Sequence, residues 1–444
     1  MGYRLSFLLI AVMFVFTACD NNSTDNTKAS GTFDVTISIV STARMFPSGG
    51  VFNTPTGADA PAAIFPGESY EFSFDAPVGS KLSFATMMVQ SNDFFYAPDG
   101  DGIDLFDSNG NPVSGDVTNQ VMLWDAGTEA NQEPGTGMDQ APRQSAANTG
   151  DADPDNTVRP APDTYNNLPA VSDVIQVTLT ANSDINFTVR ITNVSTSSTL
   201  STSTGTVAVP LSPGVFVVHT ESNPLFTNGQ ADAGNGLEGI AEDGDPSALS
   251  AWIDENTGLT NILAPGVYAV HTRKDPLFTE GSADRGQGLE ALAEDGDPSL
   301  LNDALATVTG VVSHGIFNTP DGASAPGPLT PGNSYSFSVN AEEGDYLSFA
   351  TMFVQSNDLF YAPDGMGIAL FNNGTAVSGD VTSQIKLWDA GTEVNEKPGF
   401  GANQAPRQSG ANTGTTENGT VRQVNDGFSY PAVNEVIKVT IQSR

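Results

Sequence analysis

Phe84-Ala-Thr-Met-Met-Val-Gln-Ser-Asn-Asp-Phe-Phe-Tyr-Ala-Pro-Asp99 returns later in the same chain as Phe349-Ala-Thr-Met-Phe-Val-Gln-Ser-Asn-Asp-Leu-Phe-Tyr-Ala-Pro-Asp364. Over residues 84–106 against 349–371, 19 of 23 positions agree. Working outward, Leu123-Trp-Asp-Ala-Gly-Thr-Glu129 recurs from Leu387 to Glu393, and Gln140-Ala-Pro-Arg-Gln144 recurs from Gln404 to Gln408. Both copies share an upstream Phe-Asn-Thr-Pro, at Phe52 and Phe317. Self-similarity at this level marks a duplicated domain. A shorter repeat lies in the middle of the chain, where Pro213-Gly-Val-Phe-Val-Val-His-Thr220 reappears as Pro265-Gly-Val-Tyr-Ala-Val-His-Thr272.

Strand alternation surrounds these repeats. Phe33, Val35, Ile37 and Ile39 share a face, as do Tyr70, Phe72 and Phe74, then Phe187, Val189 and Ile191. Ile175, Val177 and Leu179 close the first long copy, and Ile437, Val439 and Ile441 close the second. Helical spacing is confined to the short repeat, where Asp245-Pro246 and Asp297-Pro298 read as helix starts. The expected fold is all-β: two tandem β-sandwiches, residues 33–183 and 184–444, the second carrying a small helical tandem insertion over 211–305.

The 444 residues include 52 Asp or Glu and 16 Lys or Arg, a formal net charge of −36. A nucleic-acid partner is excluded, because phosphate binding needs a basic footprint. With 45 Gly and 28 Pro, the composition suits short strands and many turns. Residues 1–18 carry one cation at Arg4 and an apolar run from Leu5, too short to span a bilayer comfortably. That run ends in Thr17-Ala18-Cys19, and Cys19 is the one cysteine. Small residues before a lone cysteine resemble a bacterial lipobox, which implies a signal peptide over 1–18, lipid on Cys19, and a polar tether over 19–32. The expected location is the bacterial cell envelope, periplasmic or surface-exposed, with the membrane as partner through that lipid anchor.

Each long copy sets an Asp after Ser-Asn (Asp93, Asp358) and, some thirty residues on, an Asp-Ala-Gly-Thr-Glu element (Asp125 and Glu129, Asp389 and Glu393). Hard oxygen donors without His or Cys suit Ca²⁺, which takes six to eight oxygens. Gly127 and Gly391 free the backbone to turn between the two acids. Asp99, Asp101 and Asp104 are further candidates in the first copy, although Met366 and Ala369 replace the last two in the second. On spacing alone these acids either chelate a cation or cap turns facing water. A third reading makes the pairs the acid and base of a glycosidase, with Trp124 and Trp388 beside them. His219 and His271, at the ends of Val-rich runs, read as packed structural residues. Arg143 and Arg407 read as brackets for a long loop.

Ser91-Asn-Asp-Phe-Phe95 followed by Leu123-Trp-Asp-Ala-Gly-Thr-Glu129 resembles the spondin N-terminal domain known from F-spondins, over most of residues 33–180 and 186–442. The resemblance implies a C2-like sandwich with a bound calcium. It implies the ligands Asp93, Asp125 and Glu129 in one copy and Asp358, Asp389 and Glu393 in the other. Glu stands where the family has its last Asp, and the family's cysteines are missing. The expected function is a non-catalytic adhesion or matrix-binding module with an extracellular protein or glycan as ligand. The alternative is a carbohydrate-binding or glycoside-hydrolysing sandwich.

Overall fold

A computed structural model describes residues 28–444; the signal peptide and Cys19 lie outside the described residues. The first strand, β1 (Ser30–Ile39), precedes a continuous set of eight. These are β2 (Ser48–Phe52), β3 (Ser69–Asp75), β4 (Lys81–Met88), β5 (Phe94–Pro98), β6 (Val121–Asp125), β7 (Ile175–Ala181), β8 (Asn186–Asn193) and β9 (Leu211–His219). Helices α1 (Leu237–Asp243) and α2 (Ser247–Asn256) follow. The second set opens with β10 (Leu263–His271), then α3 (Leu289–Asp295) and α4 (Ser299–Leu305). It ends with β11 (Val311–Phe317), β12 (Ser334–Glu342), β13 (Tyr346–Phe353), β14 (Leu359–Pro363), β15 (Ile385–Asp389) and β16 (Ile437–Ser443). Among the described residues no helix is long and apolar enough to cross a membrane.

The strands form two β-sandwiches of the same plan. In the first, a small sheet ordered β3-β8-β7 and edged by Gly115–Asp116 faces a large one ordered β2-β9-β4-β5-β6 and edged by Arg159–Pro160. In the second, β12-β1-β16 with Gly379–Asp380 faces β11-β10-β13-β14-β15 with Arg422–Gln423. All these pairings are antiparallel. Between the sheets lie Phe84, Tyr96, Val177 and Val189 in the first sandwich, and Val35, Phe349, Tyr361 and Val439 in the second. The helices cover the outer face of each large sheet. Leu237, Ile240 and Ile253 pack on Ala85, Phe95 and Trp124; Leu289, Leu292 and Leu301 pack on Ala350, Phe360 and Trp388. A sheet covered on both faces buries successive positions rather than alternate ones, and β4 and β13 are buried at every position after their first, Ser and Thr included.

The connectivity corrects the expected domain boundaries. β1 belongs to the second sandwich, where Val35 pairs with Phe337 on one side and Ile441 on the other. β8, expected to open the second sandwich, lies in the first between β3 and β7. β9 also lies in the first, between β2 and β4. The short repeat is therefore no tandem insertion in one domain. Each sandwich owns one copy, a strand plus a helix pair. The first sandwich occupies residues 46–256, and the second is assembled from 30–39 and 263–444. The physical reason is that alternation reveals which face of a strand is buried but not which groove receives it. Phe33-Val35-Ile37 and Phe187-Val189-Ile191 fit equivalent grooves.

The chain crosses between sandwiches twice, and the two crossings run side by side. Met45 N and Phe46 N donate to Asn256 O at 2.9 and 3.1 Å, and Gly258 N donates to Phe46 O at 2.9 Å. Arg44 N donates to Thr260 Oγ1 at 2.8 Å. The two repeat histidines are structural in geometry. His219 and His271 are buried, with Nε2 2.9 Å from Ser83 Oγ and Ser348 Oγ respectively. Arg143 and Arg407 bracket their loops by donating from Nε to Gly137 O and Gly401 O, each at 2.7 Å.

Candidate metal centre

Asp93 stands one residue before β5 and Asp125 is the last residue of β6. Phe94 and Asp125 are register partners, so antiparallel pairing brings both carboxylates to one end of the hairpin. Gly127 turns the chain there with φ +70°, and a Cβ would lie 2.5 Å from Thr157 O. No other residue fits that turn. The turn aims two backbone donors at Asp93 Oδ2, from Thr128 N at 2.8 Å and Glu129 N at 3.1 Å. Asp125 Oδ1 accepts from Gly127 N at 2.7 Å, and its Oδ2 accepts from Asn131 Nδ2 at 2.7 Å and Arg159 Nη2 at 2.8 Å. Arg159 Nη2 also donates to Asp153 Oδ2 at 2.7 Å. Asp93 and Asp125 are both 0% exposed, and Asp93 Oδ1 has no hydrogen-bond partner.

The second sandwich repeats the arrangement. Asp358 Oδ2 accepts from Thr392 N at 2.8 Å and Glu393 N at 3.2 Å, and Asp358 Oδ1 is unpartnered. Asp389 accepts from Gly391 N at 2.7 Å, Asn395 Nδ2 at 2.9 Å and Arg422 Nη2 at 2.7 Å. Arg422 Nη2 reaches Glu417 Oε1 at 2.7 Å. Oxygens of Asp358, Asp389 and Glu417 lie within 4.8 Å of one another, the one such group of three among the described residues.

Of the six acids implied as ligands, the structure brings the aspartates together in each copy and turns the glutamates aside. Glu129 is buried, but its Oε1 accepts from Gly150 N at 2.7 Å and its Oε2 from Asn92 Nδ2 at 3.2 Å. Glu393 does the same with Gly414 N at 2.6 Å and Asn357 Nδ2 at 3.2 Å. The extra methylene carries each carboxylate past the aspartates onto the following loop, where a Cβ on Gly150 would sit 2.4 Å from Glu129 Cδ. In the second copy the third corner belongs instead to Glu417; in the first, Asp153 shares the Arg159 guanidinium with Asp125. Asp99, Asp101 and Asp104 follow β5 at its far end, about 16 Å away at the rise of an extended strand. There Asp99 closes a turn onto Asp101 N and Asp104 pairs with Lys81. Trp124 and Trp388 are core residues whose Nε1 donates to Ala97 O at 3.2 Å and Ala362 O at 3.1 Å. Neither offers a face to a sugar.

Sequence reasoning also missed Glu242 and Glu294, from α1 and α3, which approach the clusters from the helical layer. Their signal was present: Ala-Glu-Asp-Gly occurs at the same place in both short repeats.

Burial dominates the electrostatics. Desolvation, with Asp125 nearby, pushes the Asp93 carboxyl well above its ordinary value. Burial pushes Asp358 up to about 6. Asp389 is pushed up to about 7, by burial first and by Asp358 second. Burial raises Glu129 and Glu393 as well, and lifts Glu242 to about 8 and Glu294 to about 7. One guanidinium per cluster faces several carboxylates. A hard cation there would give the orphaned Asp93 Oδ1 and Asp358 Oδ1 a partner and offset the desolvation. The donor set is all oxygen, so the residues fit calcium. A cleft of about 360 Å³, lined by Asp284, Glu290, Thr392, Thr416 and Asn418, opens beside the second cluster. The Glu417 side chain is 27% exposed there. No protein-family model matches the chain and no curated protein matches it.

Proposed function

We propose that the protein is a non-catalytic, calcium-binding envelope protein whose two sandwiches act as adhesion or matrix-binding modules, held at the membrane through lipid on Cys19. The observation that carries the reading is the pair of fully buried, unpartnered oxygens Asp93 Oδ1 and Asp358 Oδ1, each within a cluster of acids. A native fold rarely leaves a buried carboxylate oxygen without a donor or a cation. Asp93 and Asp125 would hold the ion in the first sandwich; Asp358, Asp389 and Glu417 would hold it in the second. When bound, calcium supplies charge neutralisation and fixes the loops that carry these acids. Asn131 and Asn395 orient the second aspartate, and Arg159 and Arg422 hold its outer oxygen.

Catalysis has less support. The paired aspartates are fully buried, and the tryptophans beside them are packed in the core. The spondin-like motifs support the same reading through the aspartates Asp93, Asp125, Asp358 and Asp389, though not through Glu129 and Glu393. Calorimetric titration of the metal-stripped chain should show two calcium ions bound, and Asp125→Asn with Asp389→Asn should abolish both. Heat-free titration of the parent chain would remove the proposal. Anchoring has its own check. Cys19→Ser should move the protein from the membrane fraction to the aqueous one, and unchanged partition would rule out the lipid. A glycan array read with and without calcium, beside a panel of chromogenic glycosides, separates binding from hydrolysis.

A further inference from the structure

A single guanidinium nitrogen serves most of the second cluster. Arg422 Nη2 donates to Asp389 Oδ2 at 2.7 Å, to Glu417 Oε1 at 2.7 Å and to Glu417 Oε2 at 3.0 Å. Its two hydrogens face three acceptors. Both oxygens of Glu417 are thus committed to the arginine, while the fully buried Asp358 Oδ1 has no partner. Yet oxygens of Asp358, Asp389 and Glu417 lie within 4.8 Å of one another. A divalent cation entering among them meets a positive charge that already holds Glu417, and like charges at such range repel strongly in a partly buried site.

The two sandwiches hold their arginines differently. Arg159 Nη2 makes the matching bonds, to Asp125 Oδ2 at 2.8 Å and Asp153 Oδ2 at 2.7 Å. Its Nη1 is pinned as well, donating to Asp155 O at 2.6 Å and Thr157 O at 3.0 Å. Arg422 Nη1 has one backbone contact, to Thr420 O at 3.3 Å. The Arg159 side chain is 20% exposed and that of Arg422 34%. The backbone of Glu417 is fixed, its N donating to Thr392 O at 2.8 Å. Only its side chain has to turn for the clasp to open, and the cleft lined by its neighbours Thr416 and Asn418 lies beside it.

We infer that Arg422 is the resident cation of the second cluster before metal binds, and that calcium binds there by taking Glu417 from it. Arg422 keeps Asp389 Oδ2 and gives up the third acid. Arg159, held through both of its terminal nitrogens, stays in place when the first sandwich takes its ion. The inference rests on the calcium reading above and makes Arg422 the residue that sets the affinity of one site alone. A permanent clasp would act with the opposite sign, because removing it would loosen the acids and weaken binding.

The test uses the full chain, metal-stripped and titrated calorimetrically with calcium chloride. Arg422→Met keeps the aliphatic stem and removes the charge. It should tighten the second site about tenfold, because one competing charge a few ångströms from the ion is gone, and leave the first site unchanged. Arg159→Met should not tighten the first. The parent chain supplies a check that needs no variant. With its arginines labelled with nitrogen-15, saturating calcium should speed hydrogen exchange at the Arg422 guanidinium and leave that of Arg159 slow. Weaker or unchanged second-site binding in Arg422→Met would overturn the inference while Asp389→Asn still abolished that site. Should Arg422→Met fail to fold, an Arg422 guanidinium whose exchange is indifferent to calcium overturns it instead. A parent chain that binds no calcium would overturn both readings together.

Discussion

The two sandwiches share strand order, core and helical cover, yet one is continuous in sequence and the other is not. In the first, β7 runs into β8 through the short hairpin 182–185, with Asn182 N bonded to Asn186 O at 2.8 Å. In the second, the equivalent neighbours β16 and β1 come from opposite ends of the sequence. Arg444 Nε donates to Asp34 Oδ2 across 410 positions at 2.6 Å. Conversely, the second sandwich passes directly from α4 to β11, whereas the first has no such link: α2 ends beside Phe46, where the crossing strands meet. The first sandwich is thus a circular permutation of the second and is inserted whole between β1 and β10. The difference teaches that stability here depends on which strands fill the grooves, not on the order in which the chain supplies them.

The largest expected effect breaks that symmetry. Phe33, Val35, Ile37 and Ile39 are essentially fully buried, and burying four such side chains is worth about 6–12 kcal/mol in sum. That is comparable with the whole stability of a domain, about 5–15 kcal/mol. A chain shortened to begin at residue 41 should therefore lose the second sandwich and keep the first. Limited proteolysis with mass analysis should return a resistant core near residues 46–256. Equal resistance of both halves would refute the pairing of β1. A fragment ending at residue 183, by contrast, should not fold, because it lacks β8 and β9.

Calcium should separate the sandwiches next. A ligand that binds only the folded state adds about 2.7 kcal/mol at a hundredfold excess over Kd. For units near 200 residues each kcal/mol moves the midpoint by about 2–4 °C, so each transition should rise by about 5–10 °C. The second site should be the tighter, because Glu417 joins its aspartates within 4.8 Å, whereas among the described residues no third acid comes as close to Asp93 and Asp125. Asp389→Asn should remove the larger share of the shift and Asp125→Asn the smaller, read by calorimetric scanning. Asp101→Asn should do nothing, since that residue caps a turn at the other end of β5. Equal loss from all three would return these acids to the role of solvated turn caps.

Much of this was legible in the sequence, and the rest failed for identifiable reasons. Alternation located β1, β3, β7, β8 and β16, and the repeats located β4, β5 and β6. The aspartates Asp93 and Asp125 were legible because their spacing places them at one end of a hairpin. Partner choice for β1 was not, because an apolar face carries no address. Two short repeats beside two long copies did hold the clue that each sandwich owns one. Glu417 was hidden for a different reason. Its counterpart is an aspartate in a loop whose length differs between copies, so only the arginine clasp of Arg159 and Arg422 relates them.

The acid clusters should also make cation-free stability depend on pH in an unusual direction. Asp358 near 6, Asp389 near 7, Glu294 near 7 and Glu242 near 8 are all raised by burial. The folded state then binds more protons than the unfolded one, so stability falls as pH rises through those values. His219 and His271 are shifted downward by burial, so they oppose this trend only while the unfolded imidazoles lose their protons around pH 6.5 and add little above about pH 7.5. Between about pH 7 and 8 the metal-stripped chain should therefore lose stability, on the order of 1 kcal/mol per pH unit for each carboxyl still titrating there. Saturating calcium should flatten or reverse the slope, because it binds the deprotonated form. Parallel melting curves with and without calcium across that window would count against a shared carboxylate site.

The smallest effect concerns how the sandwiches hold each other. Lys397 of the second forms an ion pair with Asp75 of the first, and their side chains are 39% and 24% exposed. Asn186 also donates to Asp75, at 2.6 Å, so the carboxylate keeps a partner when the lysine is removed. A half-exposed pair is screened by solvent and salt and contributes about 0–1 kcal/mol. The crossing strands 44–46 and 256–260 already fix the junction through backbone hydrogen bonds that need no particular side chain. Lys397→Met should therefore shift neither melting transition by more than about 2–3 °C for units near 200 residues, and raising the ionic strength should change the parent chain no more. A larger shift that merged or split the two transitions would mean that the sandwiches are coupled through this contact rather than through the paired crossings.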